Sequence, residues 1–333
     1  MKKLKIAVIC MVTLINSACG QSVIEVTNKN FMTQAKDENF YSPGTWATKV
    51  NSNEPVKDGA FVQVNQKLFS IGGDKGNNWL AINNVFDIEN NKWELKAPMS
   101  TNRSGLGAGV IDNKIYVIGG FNGNKNEWLS NLEVYDPATD TWLNKTSMGN
   151  KRSSVGTAVI DKNLYVVGGS LAEEEWTNKL EEYDSQMDTW KSLEPMETAR
   201  AQIAVAAVSN KIYVIGGENE KGILAKVEEY NLKTNKWRTK ADMPTPRANA
   251  EIIAYKSSLI VMGGRDSQGK SLNSVDIYNT DTNRWSVGNP ISSAMEGFGV
   301  SINSDGTSIY IHGGLTTQGT SDKLEMSSIE KKG

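Results

Sequence analysis

Lys114-Ile115-Tyr116-Val117-Ile118-Gly119-Gly120, followed by Asn131-Leu132-Glu133-Val134-Tyr135-Asp136 and then Thr141-Trp142, is the stretch that decides the fold. Two short runs rich in Val, Ile and Tyr suit strands, whose pleated surface packs branched and aromatic side chains well. Asp112-Asn113 before them and Pro137-Ala138-Thr139-Asp140 after them are turn chemistry. The stretch therefore predicts four strands: Leu106–Asp112, Lys114–Ile118, Leu132–Asp136 and Thr141–Asn144.

The same pattern recurs along the chain. Gly-Gly doublets begin at Gly72, Gly119, Gly168, Gly216, Gly263 and Gly313, spaced by 47, 49, 48, 47 and 50 residues. Trp46, Trp93, Trp142, Trp190, Trp237 and Trp285 keep the same beat. Each lies 26 residues before a doublet, except the last, which lies 28 before. Two markers in register six times define an internal repeat, and a period near fifty points to propeller blades. No segment of useful length has helical periodicity. The last doublet is followed by Leu324-Glu325-Met326 but by no further tryptophan, whereas Trp46 precedes every doublet. The expectation is an all-β, six-bladed propeller of four-stranded blades, closed by an N-terminal strand around Trp46 that completes the last blade and hides sheet edges.

With its doublets, its Glu-Val-Tyr-Asp third strand and its Thr-Trp fourth strand, the chain from about Gly44 onward resembles the kelch-repeat β-propeller family. A sialidase-type propeller fits poorly, because its Ser-x-Asp-x-Gly box is missing. The resemblance implies four-stranded blades around a central channel, and in such domains an arginine before the innermost strand often lines the channel mouth. Arg103, Arg152, Arg200 and Arg247 stand sixteen residues before four successive doublets, with Val56 and Met295 in the equivalent places of the first and last repeats. Each arginine has two readings: a ligand contact at the mouth, or a hydrogen-bonding brace for a neighbouring loop.

Three further sets break the repeat. Trp79, Trp128 and Trp176 lie eight residues before Asp87, Asp136 and Asp184, in loops between second and third strands. Strand parity puts these loops on the same face as the arginines. Glu251 stands where other repeats have Ala60, Gly107, Gly156, Ala204 and Gly299, so it is expected in the channel, to neutralise guanidinium charge or to act as an acid/base. Asp74, Glu218 and Arg265 directly follow their doublets and complete the candidate site. Rings beside guanidinium groups suit an acidic peptide or an acidic or neutral saccharide.

Other chemistries lack their residues. A formal net charge of −2 and no basic run beyond the start carry no nucleic-acid footprint. His312 is the only histidine, so no metal cluster or Ser-His-Asp constellation can be assembled, and the cysteine, histidine and tyrosine set of kelch-fold copper oxidases is missing. No cofactor or metal is expected. At the N-terminus, Lys2, Lys3 and Lys5 precede the apolar stretch 6–15, then Ser17-Ala18-Cys19-Gly20. This reads as a signal peptide over 1–18, with Cys19 resembling a bacterial lipoprotein acylation site, a polar tether over 19–43 and the propeller over 44–333. The alternative is ordinary cleavage that leaves no anchor. The expected setting is exported, periplasmic or outer-membrane, touching the membrane only through the lipid.

The leading expectation is thus a non-catalytic binding module for a protein or saccharide. One alternative is a metal-free sugar mutarotase similar to kelch-type sialic acid epimerases, using Glu251 with Arg200 and Arg247; another is a structural scaffold that binds partners on its sides.

Overall fold

The computed structural model describes residues 40–332. The expected signal peptide, Cys19 and nearly all of the tether lie outside the described residues.

Among the described residues, six antiparallel sheets of four main strands follow one another. Their innermost strands are Ala60–Val64, Gly107–Ile111, Gly156–Ile160, Ala204–Val208, Glu251–Tyr255 and Glu296–Ile302, in blades 1 to 6. Each inner strand packs beside the next, and the sixth returns to the first, so the ring is closed. Small residues make that convergence possible. A Cβ on Gly156 would lie 2.1 Å from Val205 Cγ2 of the next blade. Between blades the core is built from alternate strand residues: Ile115, Val117 and Tyr135 pack toward blade 1, and Tyr116, Ile118 and Val134 toward blade 3, all buried.

Closure follows the expected route. Strand Phe40–Thr48 pairs antiparallel with Leu324–Lys332, setting Trp46 opposite Ser327. The strand begins at Phe40, so residues 40–43 belong to the propeller rather than to the tether as expected. Ser42, its third residue, is fully buried, and its Oγ accepts from the Asn289 amide at 2.9 Å.

The repeat's own markers join one blade to the next. Trp142 Nε1 donates to Ala97 O at 2.7 Å, Trp190 to Thr146 O and Trp237 to Glu194 O, each reaching back to the preceding blade. Tyr135 and Trp142 stack at 5.0 Å, a contact repeated by Tyr183–Trp190 and Tyr230–Trp237. The doublets act through their backbone. Gly216 has φ +63°, and a Cβ there would sit 2.4 Å from Arg247 O. Its neighbour Gly217 donates its amide to that same carbonyl at 3.0 Å. Only glycine permits both the left-handed turn and the approach.

Candidate functional site

Two residues after each arginine position lies a residue with positive φ: Asp58, Gly105, Ser154, Gln202, Asn249 and Gly297, all between +51° and +59°. Their amides and carbonyls link head to tail. Gly105 N donates to Asp58 O at 2.8 Å, Ser154 to Gly105, Gln202 to Ser154, Asn249 to Gln202, Gly297 to Asn249, and Asp58 closes the circle on Gly297 at 2.7 Å. Six hydrogen bonds thus fasten all six blades around one mouth of the channel. Four of the six residues carry a side chain despite the left-handed backbone, a sparsely populated state for L-residues. The tertiary bonds hold it there.

The four arginines do not reach this mouth. Arg103, Arg152, Arg200 and Arg247 are at most 1% exposed, and each guanidinium lies inside its own blade. Arg103 donates to Gly119 O at 3.0 Å, to Asn131 O at 3.1 Å and to the buried Glu133 carboxylate. Arg152 pairs with Glu181, Arg200 with Glu228 at 2.6 Å, and Arg247 with Asp276. Meanwhile the Arg103 carbonyl receives the Gly73 amide of the preceding blade, and Arg103 N donates to Leu80 O there. Side chain and backbone of one residue therefore tie adjacent blades. This corrects the mouth-lining expectation in favour of the bracing one: a fully buried guanidinium that already holds a carboxylate presents nothing to the mouth. Val56 and Met295 keep the backbone bonds without the charge.

Above the ring, a depression of about 370 Å³ opens over blades 2 to 4. Phe121, Trp128 and Trp176 form its apolar wall; Asp58, Glu174 and Glu218 supply carboxylates; Ser154 and Gln202 belong to the ring itself. Phe121 and Trp128 pack with ring centres 4.7 Å apart. Trp128 Nε1–H is buried without an acceptor. Two of the three loop tryptophans, Trp128 and Trp176, thus line one depression. Trp79 does not: its ring lies edge-on to Phe121 at 5.9 Å and covers Gly123 of the next blade.

The residues after the doublets separate likewise. Glu218 lines the depression. Arg265 is pinned beside it, to Glu218 at 2.8 Å, to Gln202 Oε1 at 2.7 Å and to Glu296 at 3.3 Å. Asp74 is buried, held by Lys57 at 3.1 Å and the Gly76 amide. Lys57 also binds Asp58 at 2.8 Å, and Asn249 donates to the other Asp58 oxygen at 2.9 Å. Phe121, Glu174, Asp58 and Gln202 escaped the sequence reading. Phe121 could have been found, because it occupies the same post-doublet position as Asp74, Glu218 and Arg265.

Glu251 faces the channel as expected, but not beneath a cationic ring. The inner strands enclose a cavity of about 230 Å³ in which Glu251 is the one ionisable lining residue. Burial, reinforced by the Asp58 charge, pushes its carboxyl up to about 8. No guanidinium shares this cavity, so Glu251 neutralises none, and the proposed mutarotase grouping with Arg200 and Arg247 does not form. His312 is equally removed from chemistry. It is buried between Phe61 and Trp93, with Nε2 3.0 Å from Ser52 Oγ, and burial lowers it to about 3. Among the described residues no group of three or more His, Cys, Asp or Glu is placed to hold a metal ion.

Comparison with known proteins gives a consistent picture. Residues 58–239 match the family described as the KLHDC2/KLHL20/DRC7 Kelch-repeats domain, and residues 164–329 match the Attractin/LZTR1 beta-propeller. Kelch-like protein 7 of Rattus norvegicus and that of Mus musculus are each 33% identical over 85 residues, 25% of this chain. Kelch-like protein 26 of Danio rerio is 29% identical over 89 residues, 24% of this chain. The matched stretch spans only 14% of the length of each of these relatives.

Proposed function

Because this chain belongs to the kelch-repeat β-propeller family, we propose that its work is recognition, with a polypeptide partner seated in the mouth depression over blades 2 to 4. Kelch propellers generally bind protein partners. The observation that carries the site assignment is the gathering of repeat-breaking residues there: Phe121, Trp128, Trp176, Glu174 and Glu218 all line this one depression from loops that follow the doublets. Large, rigid aromatics beside a few polar groups are the usual make-up of a binding centre.

The acidic ligand expected from the four arginines has lost its support, since their charges are matched inside the blades. What faces the partner is carboxylate and indole. Selection of a displayed random peptide library on the full chain tests the assignment. Enriched peptides should lose at least about tenfold in affinity when Trp128→Ala and Trp176→Ala are combined, with the melting temperature nearly unchanged. Full retention of affinity would move the site off this mouth.

We further propose that the propeller is exported and tethered through Cys19, on the strength of the lysines, apolar stretch and Ser17-Ala18-Cys19 that precede it. Palmitate labelling in the native host should disappear with Cys19→Ser; labelling that persists overturns the anchor.

A further inference from the structure

We infer that the mouth depression receives an arginine side chain of the partner, its guanidinium lying against the indoles of Trp128 and Trp176 and facing Glu174 and Glu218. The inference rests on the reading of this mouth as the recognition face and adds the chemistry recognised there.

Charge is the first ground. The depression is lined by Asp58, Glu174 and Glu218 and by no lysine or arginine. Two of these carboxylates already have cationic partners, Asp58 through Lys57 and Glu218 through Arg265. Glu174 has no ion pair among the described residues, and it sits at the tip of the exposed hairpin 170–176 between Glu173 and Glu175. Arg265, whose guanidinium pairs with Glu218, is also bound to Glu296 and so is outnumbered two to one. An anionic ligand would enter a field of its own sign, whereas a cation is drawn in.

Shape and donor chemistry are the second ground. A planar guanidinium stacks on indole faces and takes a carboxylate edge-on with two parallel hydrogen bonds, which a compact ammonium cannot do. Phe121 backs Trp128 at 4.7 Å and restrains that ring. The volume of about 370 Å³ exceeds one guanidinium, leaving room for the backbone that carries it.

The test uses the full chain and two labelled probes: a glycine-serine nonapeptide with one central arginine, and the same peptide with citrulline, the neutral isostere. Each is titrated into the millimolar range while the indole N–H resonances of Trp128 and Trp176 are followed by NMR. The arginine peptide should shift both resonances and bind about tenfold more tightly than the citrulline peptide, an advantage that shrinks as salt rises. Glu174→Gln should narrow the difference by lowering only the arginine affinity, and Trp176→Phe should preserve it in part because a ring remains. Equal affinity for the two peptides overturns the inference while leaving the mouth as the recognition face. Shifts in neither indole overturn it as well, and the mouth assignment then stands or falls on the library selection alone.

Discussion

The same residue types, arginine and glutamate, do opposite work in two regions a few residues apart. Inside blades 2 to 5, Arg103, Arg152, Arg200 and Arg247 repeat with the period of the fold, and each meets a carboxylate at one register position of the third strand. At the mouth, Arg265, Glu218, Glu174 and Glu296 are not repeated as residue types from blade to blade and retain exposure, and Glu174 and Glu218 line a depression. Charge that keeps the beat of the repeat is structural; charge that breaks it gathers where a partner can reach. Blades 1 and 6 sharpen the contrast. At the two equivalent pairs, blade 1 has Val56 with Asn84, and blade 6 has Met295 with Glu325, whose carboxylate accepts from Ser292 Oγ instead.

The largest effect should come from breaking the buried layer on one side. Arg152→Met leaves the Glu181 carboxylate buried and unpaired, and should lower unfolding free energy by about 3–5 kcal/mol in denaturant titration. Adding Glu181→Asn imitates the blade 1 solution and should restore most of the loss; a double variant as weak as the single one would show that the pair does more than satisfy itself.

A smaller, pH-dependent effect belongs to Glu251. In the fold its carboxyl keeps the proton to about pH 8, while an unfolded chain releases it near the ordinary 4.5. Stability from this residue is therefore intact below the unfolded value and is lost as pH rises through the folded one, at about 1.4 kcal/mol per pKa unit. Glu251→Gln should match the parent at acid pH and melt at higher temperature above pH 8. Parallel melting curves at every pH would mean that the channel hydrates the carboxylate. The smallest effect should be that of Glu174→Gln, within about 0.5 kcal/mol of the parent, because an exposed carboxylate without an ion pair braces nothing. A larger loss would put Glu174 in the bracing class.

Much of this architecture was legible beforehand. The doublets and tryptophans counted the blades, and Trp46, unaccompanied by a preceding doublet, announced the closure that its pairing opposite Ser327 realises. The site was legible only by half. Trp128, Trp176 and Glu218 were identified because they interrupt the repeat, but the arginines were left with two readings, outward contact or brace, of which their direction supports only the brace. Periodicity states which loops share a face; it carries no information on whether a long side chain at the strand's start turns to the channel or back into its own sheet. Trp79 failed for a related reason, since its ring covers Gly123 of the neighbouring blade, a contact between repeats.

The amino-acid sequence by itself determined the number of blades, the strand order within each and the place where the ring closes, because those depend on spacing and hydrophobic alternation along one chain. Tertiary structure alone decided which charges are matched and which remain available. That outcome depends on distances between segments some thirty residues apart, and a carboxylate such as Glu133 or Glu228 selects the direction of its arginine only once the third strand has paired with the second beneath the segment that leads into the inner strand. The electrostatic character of the mouth follows from that burial, which reverses the sign that a count of arginines suggests.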